Sequence, residues 1–483
     1  MLCRTGDEIG VVSGRVDRGS LDPRTRRLLE APIVPTLLRL GAPNVLIMLA
    51  QASVGLIETF FVGKLGTDAL AGMALVFPAV MLMQTISAGA FGGAIASVIA
   101  RALGGGRRAE ADALVLHSLA IALALGILFM VAALAGGRWM FTRMGGVQGS
   151  LAAALTYSNL VFGGAMLVWI FNSLAAVIRG TGNMTVPALV SCTGSVLLIP
   201  LSPLLIFGWG PVPALGIAGG AVALLAYYLL GSLAMAAYLW SPRSLLRPAF
   251  SHLRFQWALF RDILRLGAVG AISAAATNAT IAIATAQVGA FGTAAIAGYG
   301  TAARLEYLLI PLVFGLGSPL VAIVGTSIGA GLRERALAAT WIGAAIVFAM
   351  TEVIGVAAAL WPNAWLSLFA SDQAMRQAGA HYLHAVGPLY GFFGVGLVLF
   401  FASQGAGRLT WPVLGNLARL AVAALGGALA LRWGHGLTPI FIAQGVALVI
   451  YALINMAAVA GGAWFGPIGW PRSVTLATSR ATG

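Results

Sequence analysis

The chain has 483 residues, 60% of them hydrophobic and only 9% charged, with mean hydropathy +0.94. Soluble domains carry about 25% charged residues, so a water-soluble globular fold is excluded and many helical membrane spans are expected. Apolar runs of about 20 residues without alternation also disfavour a β-barrel.

The formal charge of +14 comes almost wholly from arginine, Lys64 being the one lysine. No basic cluster interleaves with aromatics as a nucleic-acid groove requires, so no nucleic-acid partner is expected. Of the two cysteines, Cys3 lies in a polar stretch and Cys192 in an apolar one, which gives no disulfide framework.

Residues 1–33 are polar and arginine-rich, without the apolar core and cleavage site of a signal peptide. They are expected to form a disordered cytoplasmic tail rather than a membrane-surface amphipathic helix around 23–35. The first span follows. It carries a single acid, Glu58, near its far end, and Gln51, Gly55 and Glu58 share one helical face. A carboxylate in hydrocarbon costs roughly 2.5–3.5 kcal/mol on insertion scales and usually faces a bundle interior or a wet cavity. Pro43, fifteen positions earlier, frees a backbone carbonyl and permits a kink. A hinge and a titratable group on one helix are the parts of a proton- or ion-driven switch, with Glu58 and Gln51 as coupling residues and Pro43 as hinge. The bland alternative is that Glu58 is interhelical glue.

Twelve apolar spans are predicted, at 36–62, 69–100, 113–136, 151–178, 184–207, 214–240, 257–288, 294–327, 337–361, 374–403, 410–432 and 438–464. With the N-terminus inside, the inner segments hold most arginines, including Arg101, Arg107, Arg108, Arg179, Arg243, Arg247, Arg333, Arg335 and Arg408. The outer ones hold Lys64, Arg138, Arg143, Arg376 and Arg432. That bias places both termini in the cytoplasm.

The spans repeat. LLRLGA at 37–42 returns as ILRLGA at 263–268, and VGKLGTDALAG at 62–72 as VGAFGTAAIAG at 288–298. LGGGRRAEA at 103–111 returns as IGAGLRERA at 328–336 after a one-residue slip, and RGTGNMTVP at 179–187 as QGAGRLTWP at 404–412. Four matches in order define two halves of six spans. An even-numbered repeat keeps its orientation, so the halves are parallel. The expected fold is therefore all-α and membrane-integral, with twelve transmembrane helices in two parallel-repeat six-helix lobes. The N-lobe covers 34–240, a cytoplasmic linker 241–255, the C-lobe 256–465 and a cytoplasmic tail 466–483. Two such lobes suit alternating access, with substrate between them near mid-membrane.

Other polar residues in the spans are candidates for a substrate cavity. Glu306 lies two residues after Arg304, and a cavity-facing Glu306 would attract cations; pairing within the bundle is an equal alternative. Asn278 stands in a polar spot with Thr277 and Thr280, while Asn172, Tyr299 and Asn455 are singletons. His384 and His381 share a face, as a relay or as glue, and Glu352 reads as a local hydrogen-bonding group. The glycine runs at 104–106 and 329–331 are turns, since no G-x-x-x-x-G-K-[ST] occurs. No nucleophile triad, zinc motif or dinucleotide fingerprint appears, so catalysis, a cofactor and a metal are not expected.

Read together, these segments resemble the multidrug and toxic compound extrusion (MATE) transporters over roughly residues 35–460. The resemblance rests on the segment from Pro43 to Glu58, the duplicated turns above, PLLIFG at 203–208, AGYGTAARLEYLLIPLVFGLGSPL at 297–320 and FFASQGAGRLTWPVL at 400–414. It implies twelve helices in two lobes around a cavity, and exchange of protons or sodium for small amphipathic, often cationic, compounds. Glu58–Thr59 stands where the family usually has an Asp-Thr pair, and Pro43 matches its first-span proline. One departure bears on the ion. Where many members read N-x-x-x-D-P, this chain has Leu198 and Ser202, which removes an amide and an anion from a cation site. Protons are therefore favoured over sodium, in a bacterial-type inner membrane, with the monomer as the working unit. A lipid-linked precursor flippase, a major-facilitator carrier and a channel or scaffold remain as alternatives.

Overall fold

The computed structural model describes residues 21–248, 255–369, 372–434 and 436–465. The expected tails at 1–20 and 466–483, and part of the linker at 249–254, lie outside the described residues. What is described is built from helices: α1 Pro23–Glu30, α2 Ile33–Gly63, α3 Thr67–Gln84, α4 Gly92–Gly104, α5 Arg108–Arg143, α6 Gln148–Gly163, α7 Ala165–Gly180, α8 Thr185–Phe207 and α9 Ile217–Leu239. The second half continues with α10 Trp257–Gly289, α11 Thr293–Gly329, α12 Arg333–Leu360, α13 Pro362–Leu366, α14 Gln373–Val386, α15 Tyr390–Gly405, α16 Thr410–Trp433 and α17 Leu437–Ala460.

Among the described residues eleven spans are long and apolar enough to cross a bilayer, and α6 with α7, taken as one span bent by 47°, makes a twelfth. The sequence predicts that span as continuous; the structure breaks it at Gly163–Gly164. Two adjacent glycines weaken the helix, and a Cβ on Gly164 would overlap the Leu225 side chain of α9.

The expectation of a disordered tail fails for residues 21–33. Asp22 caps α1 by accepting from the Arg24 N–H at 2.8 Å, proline occupies its first turn, and Leu28 and Leu29 are buried. The alternative amphipathic reading holds, but the apolar face of α1 packs on protein. Leu28 joins the core of the second half, while Arg24 donates to Tyr238 Oη of the first half at 3.0 Å. Arg335 at the start of α12 donates to the carbonyls of Leu28 (3.0 Å) and Ala31 (2.6 Å), which the short helix leaves free.

The repeat is legible in the backbone. The turn glycines come in matched pairs with positive φ: Gly66 and Gly292 (112° and 96°), Gly106 and Gly331 (71° and 74°), Gly182 and Gly407 (79° and 74°). A side chain there would be strained, which explains why those turns recur in sequence. The one-residue slip also has a structural cause. Between α3 and α4 the helix runs as a π-helix over Thr85–Phe91, and such a turn is how a helix absorbs one extra residue. Its counterpart α11 is an uninterrupted α-helix.

The lobes meet along a seam on the arginine-rich face. Gly104 abuts the Thr326 backbone and its repeat mate Gly329 abuts the Arg101 backbone, so each glycine admits the other lobe's main chain. Ser97 Oγ donates to the Gly405 carbonyl at 3.1 Å, and Gln404 Nε2 to the carbonyls of Gly89 (3.3 Å) and Ala90 (3.2 Å) in the π-helix.

Helix α2 straddles both lobes. Near its start, Leu37 is fully buried in the second-half core; further on, Val54 and Val62 belong to the first-half core. Asn44 marks the crossing, donating to the carbonyls of Phe314 (3.0 Å) and Gly315 (3.3 Å). Pro319 has no N–H to offer Gly315, so Asn44 serves a carbonyl that α11 cannot satisfy itself. Pro43 stands beside it, and α2 runs through it as a single helix.

Candidate functional site

Each lobe encloses a carboxylate held by a tyrosine. In the first, Glu58 is 2% exposed and Tyr157 of α6 donates to its Oε2 at 3.0 Å. Its Oε1 has no hydrogen-bond partner, and among the described residues no cation pairs with it. An ionised carboxylate so enclosed is poorly compensated. Of the two surroundings expected from sequence, a bundle interior or a wet cavity, Glu58 takes the first: it faces the interior of the first lobe, where Tyr157 closes over it. The Gln51 side chain lies outside the described residues.

A polar chain runs beside this site. Gln84 donates to Tyr228 Oη, Asn172 donates to Gln84 Oε1 at 3.0 Å and to Ser87 Oγ at 2.8 Å, and Ser87 bonds the Met83 carbonyl at 2.7 Å. Asn172 is thus a buried link ending at the π-helix. Leu198 and Ser202, where the family pattern has Asn and Asp, are both buried.

In the second lobe, Tyr382 of α14 donates to Glu306 Oε2 at 2.8 Å, and Arg419 of α16 reaches Glu306 Oε1 at 3.3 Å while lying over the Phe393 ring. Both oxygens of Glu306 are served and its charge is matched. Thr280, Tyr299, Glu306, Tyr382, Arg419 and Gln444 line one void of about 400 Å³ including its mouth. Tyr299 packs edge-on against Tyr382. Asn278 and His384 do not line that void: both are exposed, and Asn278 donates to its own helix at Ala274 O. Glu352 accepts the Gly391 N–H at 2.7 Å, a donor at the start of α15. Among the described residues no three His, Cys, Asp or Glu side chains converge as metal ligands.

Sequence reasoning missed Tyr157, Tyr382, Arg419 and Asn44. For the tyrosines a signal existed: they stand 225 positions apart, the spacing of Arg179 and Gln404 in the last repeat match.

Two six-span lobes of repeated sequence, sealed against each other at one face and each enclosing a carboxylate, define a membrane transporter. The chain belongs to the MatE family, whose model matches residues 43–204 and again 270–429, one copy per half. Family members are transporters, not enzymes. A FAD transporter from Shewanella oneidensis is 29% identical over 82% of this chain and 88% of its own length. A probable multidrug resistance protein NorM from Thermotoga maritima is 22% identical over 78% of this chain and 81% of its own. Among solved structures, a MATE protein in its bent conformation superposes with TM-score 0.84 at 22% identity, covering 90% of this chain and 96% of that one. An outward-facing multidrug resistance MATE transporter superposes with TM-score 0.83 over the same shares.

Proposed function

We propose that the protein exports small amphipathic compounds across a bacterial-type inner membrane in exchange for protons, as a monomer with both termini in the cytoplasm. One contrast carries this reading: among the described residues, Glu306 has a tyrosine and an arginine, whereas Glu58 has a tyrosine alone. A carboxylate with a matched cation holds its charge; one without gains and loses a proton at lower cost. Glu58 lies on α2, about fifteen residues from Pro43, and α2 packs in the cores of both lobes, so its protonation state bears on a helix that bridges them. The arginine bias of the sealed face supports an orientation in which that face is cytoplasmic. Small organic substrates are supported by the NorM relative. A second reading, export of flavin dinucleotides, is supported by the Shewanella oneidensis relative.

The test is substrate flux in everted vesicles under separate pH and sodium gradients, for wild type and Glu58→Gln. Efflux driven by pH in the wild type, and lost in the variant at equal expression, is expected. Retained pH-driven efflux in Glu58→Gln would overturn the proton-coupling assignment.

A further inference from the structure

The last repeat match places Arg179 and Gln404 at equivalent positions of the two halves. Arg179 ends α7 and is 5% exposed; Gln404 lies at the end of α15 and is fully buried. Both line one cleft in the seam between the lobes, together with Gly89, Gly92, Phe314 and Phe401. A buried arginine is ordinarily paired, yet among the described residues the Arg179 side chain has no ion pair and no hydrogen bond, while its carbonyl accepts the Gly182 N–H. Its five N–H donors are therefore left facing a cleft about 240 Å³ in volume, mouth included. Glycine beside it lets a ligand approach main chain, and the cleft is also lined by a pair of phenyl rings at 5.2 Å, edge to face.

From this arrangement we propose that Arg179, with Gln404, is the subsite that receives an oxyanion group, a phosphate or carboxylate, of a flat aromatic substrate. This rests on the transport reading above and narrows its substrate class. The guanidinium offers a planar fork that matches two oxygens of such a group. Gln404 spends its amide N–H on Gly89 and Ala90 only while the seam is shut. When the lobes part on this face, those bonds break, and the amide and the guanidinium become walls of the cavity that opens there. Phe314 and Phe401 then offer aromatic faces to a ring.

Flavin mononucleotide and riboflavin test this, since they share a ring and differ by one phosphate. Binding to the purified full chain in detergent is read from flavin fluorescence, without need of any ion gradient. The wild type is expected to bind flavin mononucleotide at least tenfold tighter than riboflavin, with the preference weakening in salt. Arg179→Gln should abolish the preference and leave riboflavin binding in place, while Arg179→Lys should keep part of it. The Lys variant also guards against loss of fold, which thermal unfolding of both variants reports. Equal affinity for the two flavins in the wild type, or an unchanged preference in a folded Arg179→Gln, overturns the subsite. Because no gradient enters the measurement, failure of proton coupling leaves this result standing, and the converse holds.

Discussion

Tyr157 and Tyr382 are repeat mates, and each donates its phenolic proton to a carboxylate inside its own lobe, at 3.0 and 2.8 Å. The acids they hold are not mates: Glu58 lies on the first span of its half and Glu306 on the second. The repeat thus conserves the donor and varies the acceptor. Among the described residues only the second lobe adds a cation, Arg419.

Because Tyr157 is the one hydrogen-bond donor to Glu58 among the described residues, Tyr157→Phe should impair coupling more than Tyr382→Phe. A hydrogen bond to a charged group contributes about 1.5–3 kcal/mol, so pH-driven flux is expected to fall by about tenfold or more in Tyr157→Phe. In Tyr382→Phe the Arg419 pair still holds Glu306, and flux should fall by no more than about threefold. Flux in vesicles at matched expression checks both. Equal effects would mean that the two tyrosines merely pack.

The Glu306–Arg419 pair should behave as a buried ion pair, both side chains being largely enclosed at 15% and 8% exposure. Removing one partner of such a pair typically costs about 3–5 kcal/mol because the other charge is stranded, while removing both costs far less. Glu306→Gln and Arg419→Gln are therefore each expected to lower the thermal midpoint in detergent, and the double variant to recover most of the loss. A double-mutant cycle measures the coupling. Additive losses would show that the two side chains act independently.

Much of this architecture is readable from sequence because membrane spans are fixed by apolar length and the lobes by repeated turns. Gly106 and Gly331 recur since both must take positive φ. The one-residue slip is visible too, although its cause, the π-helix at 85–91, needs coordinates. Glu58 stands out because an acid in an apolar run is rare. Tyr157 and Asn44 do not, because a tyrosine or asparagine in a span is common and its partner is 99 or 270 positions away. Exposure likewise escapes pattern reading. Asn278 and Thr280 sit two apart, and only Thr280 faces the void.

Helix α1 contacts both lobes on the sealed face, through Tyr238 of the first and Arg335 of the second. It should therefore favour the conformation in which that face is shut. Arg335→Ala removes two charge-assisted bonds to the carbonyls of Leu28 and Ala31, each worth about 1.5–3 kcal/mol at most. Freed α1 should be cleaved between Arg24 and Arg27 by trypsin several-fold faster than in the wild type. An unchanged cleavage rate would show that the apolar face of α1, chiefly Leu28 and Leu29, holds it without Arg335.

The reciprocal contacts of Gly104 and Gly329 make the seam sensitive to a single methyl group. A Cβ on Gly104 would overlap the Thr326 backbone, and main chain cannot swing aside as a side chain does. Overpacking of this kind costs about 1–3 kcal/mol, and here the cost falls only on the sealed state, since the lobes separate when this face opens. Gly104→Ala should therefore shift the population toward the form open on the arginine-rich face. Spin labels at Ala109 and Glu334, exposed residues on the two sides of the seam, read the separation in a background lacking Cys3 and Cys192. A longer-distance population that grows in Gly104→Ala is expected, and likewise in Gly329→Ala, where the Arg101 backbone is the obstacle. Were the distance distribution to stay as in the wild type in both variants, the seam would have to be compliant there, and the two glycines would owe their recurrence to the neighbouring turns alone.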